Sequence, residues 1–210
     1  MAKNKYCLRH AESEANRAGI YQGQGYDTNL SPLGKMQAME AAEALAGQNI
    51  SGIITSPLKR TYQTAEIIAS FINVSLITDK RLLEINHGTW EGKTRREFTP
   101  EEERVWKIWK TRPDKCQMPE GEHFNEVVQR VENFLQDLKK QTGQLAIVTH
   151  DLILRVMIAK VGNLPLANIW QLTLDNCGIT SLTINPDRLV RVNENYHLVN
   201  LRSETSKQML

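Results

Sequence analysis

Apolar residues along the chain follow two alternating rhythms. Short continuous runs at residues 6–8, 52–55, 74–77 and 145–148 have the length of buried strands. Between them the apolar positions spread to helical spacing. Ser31 followed by Pro32 is a capping residue with proline in the first turn, and Ala38, Ala41, Ala42 and Leu45 then share a face. Ala65, Ile68, Ala69 and Ile72 form a second stripe. Phe124, Val127, Val128, Val131, Leu135 and Leu138 form the clearest one, inside a helix predicted over 122–141. Residues 152–161 predict another helix, and 178–184 with 189–192 predict late strands around an Asn185, Pro186, Asp187 turn.

Strands alternating with helices predict an α/β fold: a three-layer α/β/α sandwich with a mostly parallel central sheet. A single domain over 1–210 is expected. Residues 93–121 break the rhythm. They are rich in charge and carry Trp106, Trp109, Pro113 and Pro119. They read as an excursion, helical in its middle, over one edge of the site. Trp106 and Trp109 with Lys107, Lys110 and Arg112 fit either a lid over an anionic substrate or a half-buried helix with a solvated basic face.

Composition narrows the function classes. The 210 residues are 40% hydrophobic, enough for one sizeable core. The 26 basic and 24 acidic residues leave a net charge of +2, not the footprint of a dedicated nucleic-acid binder, so no nucleic-acid partner is expected. Cys7, Cys116 and Cys177 are few, odd in number and without a C-x-x-C pair, which suits a reducing compartment. No apolar run approaches the roughly 18 residues that span a bilayer, and the first residues lack a signal-peptide stretch. The expectation is a cytoplasmic protein with no membrane partner.

Three polar clusters directly follow three strand candidates: Arg9 and His10, Ser56 to Arg60, and Thr149 with His150. Open α/β sheets bind ligands outside the carboxyl ends of their strands. Parallel neighbours would therefore bring two histidines and two arginines to one crevice. Guanidinium forks match phosphate oxygens. A neutral imidazole is a competent nucleophile at phosphorus, and a carboxylic acid can protonate the leaving oxygen and then activate water. The histidines show no H-E-x-x-H spacing, so neither a catalytic metal nor another cofactor is expected. Gly23, Gln24 and Gly25 are too short for a nucleotide fingerprint. Ser56 lacks a G-x-S-x-G elbow and reads as turn chemistry.

Residues 9–16, Arg-His-Ala-Glu-Ser-Glu-Ala-Asn, resemble the signature of the histidine phosphatase superfamily, phosphoglycerate mutase-like branch. The resemblance continues at residues 30–34, 56–65, 83–92, 121–122 and 148–150, nearly the whole chain. It implies that His10 is the phosphorylated nucleophile, that Arg9, Arg60 and His150 form the phosphate pocket, and that Asn16 is a polar ligand to the same phosphate. It makes Gln22 a contact near the leaving group and Glu84 the acid for the leaving oxygen, with an upward pKa shift expected. It also allows a homodimer. Most relatives carry glycine where Ala11 and Asp151 stand. Ala11 is expected to be tolerated, and Asp151 to point away from phosphate and cap the following helix.

The implied function is a phosphomonoester hydrolase acting on a small phosphorylated metabolite through a phosphohistidine. The alternatives are a phosphoglycerate mutase-type phosphoryl transfer and an inactive relative used as a binding module. Retention of the site residues weighs against the last, and a compact chain against the mutase. Residues 84–88 and 195–198 look similar to bacterial metal-independent phosphoserine phosphatases, which makes L-phosphoserine the leading substrate. His87 is then either a loop histidine or a substrate contact, with His197 as a second candidate contact. His123, and His197 when it does not touch substrate, read as structural or solvated.

Overall fold

The computed structural model describes residues 4–203. Its centre is a six-stranded sheet in the order β3-β2-β4-β1-β5-β6. The strands are β1 (Asn4–Arg9), β2 (Gly52–Thr55), β3 (Leu76–Thr78), β4 (Leu145–Thr149), β5 (Ile179–Thr183) and β6 (Arg188–Glu194). β1, β2, β3 and β4 run parallel, while β5 lies antiparallel to β1 and β6 antiparallel to β5. The antiparallel pairing of β5 with the edge strand β6 follows from the short turn between them, which permits a hairpin and leaves no room for a crossover.

Helices cover both faces, as the alternating pattern predicts. α1 (Glu14–Ala18) is a short turn after β1. α2 (Pro32–Ala46) and α3 (Lys59–Ile72) pack on one face; α5 (Phe124–Leu138) and α6 (Asp151–Val161) pack on the other. Side-chain alternation along a strand divides the core accordingly. In β1, Tyr6 and Leu8 join the α2–α3 layer while Cys7 joins the α5–α6 layer. In β4, Ala146 and Val148 face one way and Ile147 the other.

Boundaries shift where caps decide them. α5 begins at Phe124, two residues later than the periodicity suggests, because His123 accepts the Asn125 N–H and Glu126 closes the capping box. β3 lies at 76–78 rather than 74–77, at an exposed edge where alternation is weak. Within the 93–121 excursion, Thr99 caps α4 (Pro100–Thr111), with Pro100 in the first turn and Glu102 bonding back. Trp109 on this helix is fully buried and Trp106 half-buried, so the excursion is packed onto the α5–α6 layer.

Gly88 pins the far end of that excursion to the turn after His87. Its φ is +56°, and a Cβ there would stand 1.8 Å from the Pro119 carbonyl oxygen. Gly88→Ala is expected to cost about 2–3 kcal/mol, since both the left-handed backbone and the contact with main chain oppose a methyl group. A thermal melt with the variant as stable as the wild type would refute this.

Candidate active site

The parallel register carries three strand ends to one edge of the sheet. Arg9 pairs with Thr149 and Thr55 with Val148, so His10, Ser56 and His150 emerge side by side. The His10 N–H donates to the Thr149 carbonyl at 2.8 Å, and the His10 carbonyl accepts from Asn176 Nδ2 at 2.8 Å. The backbone of the histidine is therefore fixed from both sides.

His10 Nδ1 lies 2.7 Å from the Ala11 carbonyl oxygen. A carbonyl only accepts, so the proton sits on Nδ1 and Nε2 keeps its lone pair. Burial, then the charges of Arg60 and Arg9, push the ring pKa well below its ordinary value. His150 packs edge-on against His10, ring centroids 5.3 Å apart, and its Nε2 lies 2.9 Å from Ser56 Oγ. Burial and nearby arginines hold that imidazole neutral too. Ser56, read from sequence as turn chemistry, thus fixes the second histidine.

Arg9 and Arg60 are buried, 3% and 1% exposed, so each needs a counter-charge. Arg60, in the first turn of α3, donates to Asp27 Oδ1 at 2.8 Å and to the Gly23 carbonyl at 3.0 Å. Arg9 donates to the Leu174 carbonyl at 3.0 Å and stands 3.7 Å from the Asp151 carboxylate. Each retains one buried Nε–H without a partner, so neither guanidinium is spent entirely on the protein.

Glu84 follows a turn at Lys80–Leu82 that Thr149 holds by donating its hydroxyl to the Leu82 carbonyl at 2.9 Å. Burial, opposed by the Ile85 N–H that donates to it and aided by the Asp151 charge, pushes the Glu84 carboxyl up to about 7. A carboxyl poised there can both give and take a proton near neutrality.

Arg9, His10, Asn16, Gln22, Arg60, Glu84 and His87 line one open pocket. Asn16 uses Oδ1 to close the Ser13 capping box, which leaves its amide nitrogen uncommitted. Gln22 donates to Ser13 Oγ at 2.7 Å and accepts from Thr28 at 3.0 Å. His87 donates from Nδ1 to the Gln22 carbonyl at 2.9 Å, and its buried Nε2 has no partner among the described residues. Burial lowers its pKa to about 4, so Nε2 is an acceptor. His150 lies behind His10, fully buried, and does not line the open pocket. Among the described residues no group of three or more His, Cys, Asp or Glu is arranged to hold a metal ion.

Two expectations need correction. Asp151 does not cap a helix beginning at Leu152. It is the first residue of α6, lines the pocket, and binds Arg155 at 2.6 and 3.1 Å. Arg155, four residues on, meets it on the same helix face, so the acid is neutralised where it stands. His197 is outside the pocket, with Nε2 3.1 Å from the Cys177 carbonyl, so its reading as a substrate contact falls and its structural reading stands. Ala11, as expected, is accommodated: its methyl is buried in the α2–α3 core. Sequence reasoning did not find Asp27, Asn176, Arg130 or Arg155, since each acts across a separation that carries no local motif.

Residues 6–196 match the histidine phosphatase superfamily (branch 1). Phosphoserine phosphatase 1 of Hydrogenobacter thermophilus is 33% identical over 204 residues, covering 95% of this chain and 96% of that one. A Yersinia pestis protein named "probable phosphoglycerate mutase GpmB" is 34% identical over 177 residues, 83% of this chain and 82% of that one. The structure of an Entamoeba histolytica phosphoserine phosphatase mutant in complex with phosphoserine superposes with a TM-score of 0.81 at 29% identity, covering 94% of this chain and all of that one. The chain belongs to the histidine phosphatase superfamily, branch 1. It is, at that level, a phosphomonoesterase that works through a phosphohistidine. No helix among the described residues is long and apolar enough to cross a membrane.

Proposed function

We propose that this chain hydrolyses L-phosphoserine with His10 as nucleophile. His10 Nε2 attacks phosphorus in line with the ester oxygen, forming the N–P bond as the P–O bond breaks. Glu84 gives its proton to the departing serine oxygen. Arg9, Arg60 and Asn16 hold the phosphoryl oxygens through the transfer, His150 packs behind the His10 ring, and Gln22 lies beside the leaving group. Water then attacks the phosphohistidine, the Glu84 carboxylate takes its proton, and inorganic phosphate leaves with His10 restored. The carrying observation is the pairing in one pocket of a neutral imidazole bearing a free Nε2 lone pair with a carboxyl whose pKa stands at about 7.

The amino-acid half of the substrate is assigned from the pocket wall and the relatives. His87 Nε2 is a buried acceptor without a partner, and Trp109 Nε1 a buried donor without one; both residues line the pocket. They suit the ammonium and carboxylate of phosphoserine respectively. Trp109 brings the 93–121 excursion to the site, where it acts as a lid. His87→Ala is expected to raise KM for phosphoserine about tenfold, the worth of one hydrogen bond to a charged group, while KM for p-nitrophenyl phosphate changes less than twofold. Equal changes on both substrates would remove His87 from recognition.

The mutase-named relative supports a second reading, in which the phosphoryl group returns to another hydroxyl. A panel of phosphorylated metabolites scored by kcat/KM, with inorganic phosphate measured with and without a bisphosphorylated primer, tests both. Phosphoserine leading the panel and primer-independent phosphate release support the phosphatase. Isomerised product dependent on primer overturns it.

A further inference from the structure

Arg130 on α5 has no place in the chemistry above, yet its guanidinium has all five N–H donors engaged. Nη1 donates to the carbonyls of Arg81 (2.7 Å) and Leu83, and Nη2 to the carbonyl of Glu84 (3.2 Å) and to Glu122 Oε2 (3.1 Å). Nε donates to Glu122 Oε1 at 2.9 Å. A guanidinium carries five such donors in a fixed planar fork, so none remains for substrate.

Glu122 completes the other half. Its Oε2 accepts the Asn86 N–H at 3.2 Å and Gln24 Nε2 at 3.3 Å, and its own N–H donates to the Asn86 carbonyl at 2.9 Å. Gln24 Nε2 also donates to the Glu84 carbonyl at 2.8 Å. Beyond the Thr149 bond to the Leu82 carbonyl, the backbone on both sides of Glu84, from Arg81 to Asn86, is therefore bound to one partly buried ion pair. Irregular backbone has no ladder to fix it, so its position depends on these bonds.

We propose that Arg130 and Glu122 are positioning residues that hold the Glu84 carboxyl at the leaving oxygen. This rests on the acid role of Glu84. Phosphoryl transfer tolerates little misplacement of the proton donor, and a shift of about 1 Å can cost up to 100-fold. Arg130→Lys supplies a point charge that cannot span three carbonyls and a carboxylate. Glu122→Gln keeps the shape but weakens the fork. The loss in both falls on the step that needs the proton, whereas the phosphate pocket, built from other elements, stays intact.

The test measures kcat/KM for phosphoserine, whose alkoxide is a poor leaving group, and for p-nitrophenyl phosphate, whose phenolate departs readily. Wild type, Arg130→Lys, Glu122→Gln and Glu84→Gln are compared, with folding checked by thermal melt. Arg130→Lys and Glu122→Gln are expected to lose about tenfold or more on phosphoserine and less than threefold on p-nitrophenyl phosphate, with KM for the latter unchanged. Added guanidinium is expected to restore phosphoserine turnover in Arg130→Ala, if that variant retains the wild-type circular dichroism spectrum. Uniform losses in the two folded positioning variants, alongside a phosphoserine-selective loss in Glu84→Gln, would overturn the positioning role alone. A uniform loss in Glu84→Gln would overturn the acid role and this inference with it.

Discussion

His10→Ala is expected to lower phosphoserine turnover by about 10⁴-fold or more while the protein stays folded. Removing a nucleophile leaves only what the remaining groups do for direct attack by water, and losses of this size are typical for a residue that forms a covalent intermediate. The variant's stability changes little because the imidazole makes few structural bonds. Among the described residues its only side-chain hydrogen bond is to the neighbouring Ala11 carbonyl, and the bonds that fix the segment run through the His10 backbone. The remaining pocket keeps Arg9, Arg60 and Asn16, so inorganic phosphate still binds, measurable by titration calorimetry. A folded variant with a near-normal rate would remove His10 from the chemistry.

Glu84→Gln gives the second large effect, expected at about 10²- to 10⁴-fold on kcat/KM for phosphoserine and far less for p-nitrophenyl phosphate. Its pH dependence has a defined sign. Burial raises the carboxyl pKa to about 7, and the protonated form is the one that acts in the first step. The phosphoserine kcat/KM therefore falls as pH rises through about 7, and this alkaline limb disappears in the glutamine variant. His10 acts in its neutral form and its pKa is pushed well below the ordinary range, so it places no limb near neutrality. A limb that survives in Glu84→Gln would belong to another group.

Much of this site was legible because its chemistry sits at chain positions the fold rule already marks. Arg9 with His10, Arg60, and His150 each follow an apolar strand run closely, and parallel pairing of β1, β4 and β2 does the rest. The long stripe on α5 revealed a helix for the same reason: its apolar positions answer to burial alone. The opposite face of that helix was opaque. Arg130 reads as one more solvated charge until its carbonyl partners 46 to 49 residues away are known. Asp27, 33 residues before its partner Arg60, was hidden in the same way.

Asp151 shows where local reasoning chose the wrong competitor. An acid at a helix start commonly caps, and the sequence places one there. The prior claim of Arg155, one helical turn on, turned the side chain along the helix and toward the pocket instead. His197 bonds a backbone carbonyl outside the pocket, in line with its structural reading, and Ser56 adds to its turn chemistry a bond that holds His150. Both outcomes depend on the strand order, which apolar runs do not encode. The excursion's helix was foreseen, but the depth of Trp109, fully buried beside the site, follows from its packing against Phe124 and Trp170.

The most direct test is to trap the intermediate. Enzyme mixed with phosphoserine is quenched in alkali within the first turnover, digested, and its phosphorylated peptide mapped by mass spectrometry. The account predicts one phosphoryl group on the peptide carrying residue 10, stable to alkali and lost in acid, as a nitrogen–phosphorus bond behaves. Phosphate found on any other side chain, or product formed in bursts with no phosphorylated peptide at all, would contradict it.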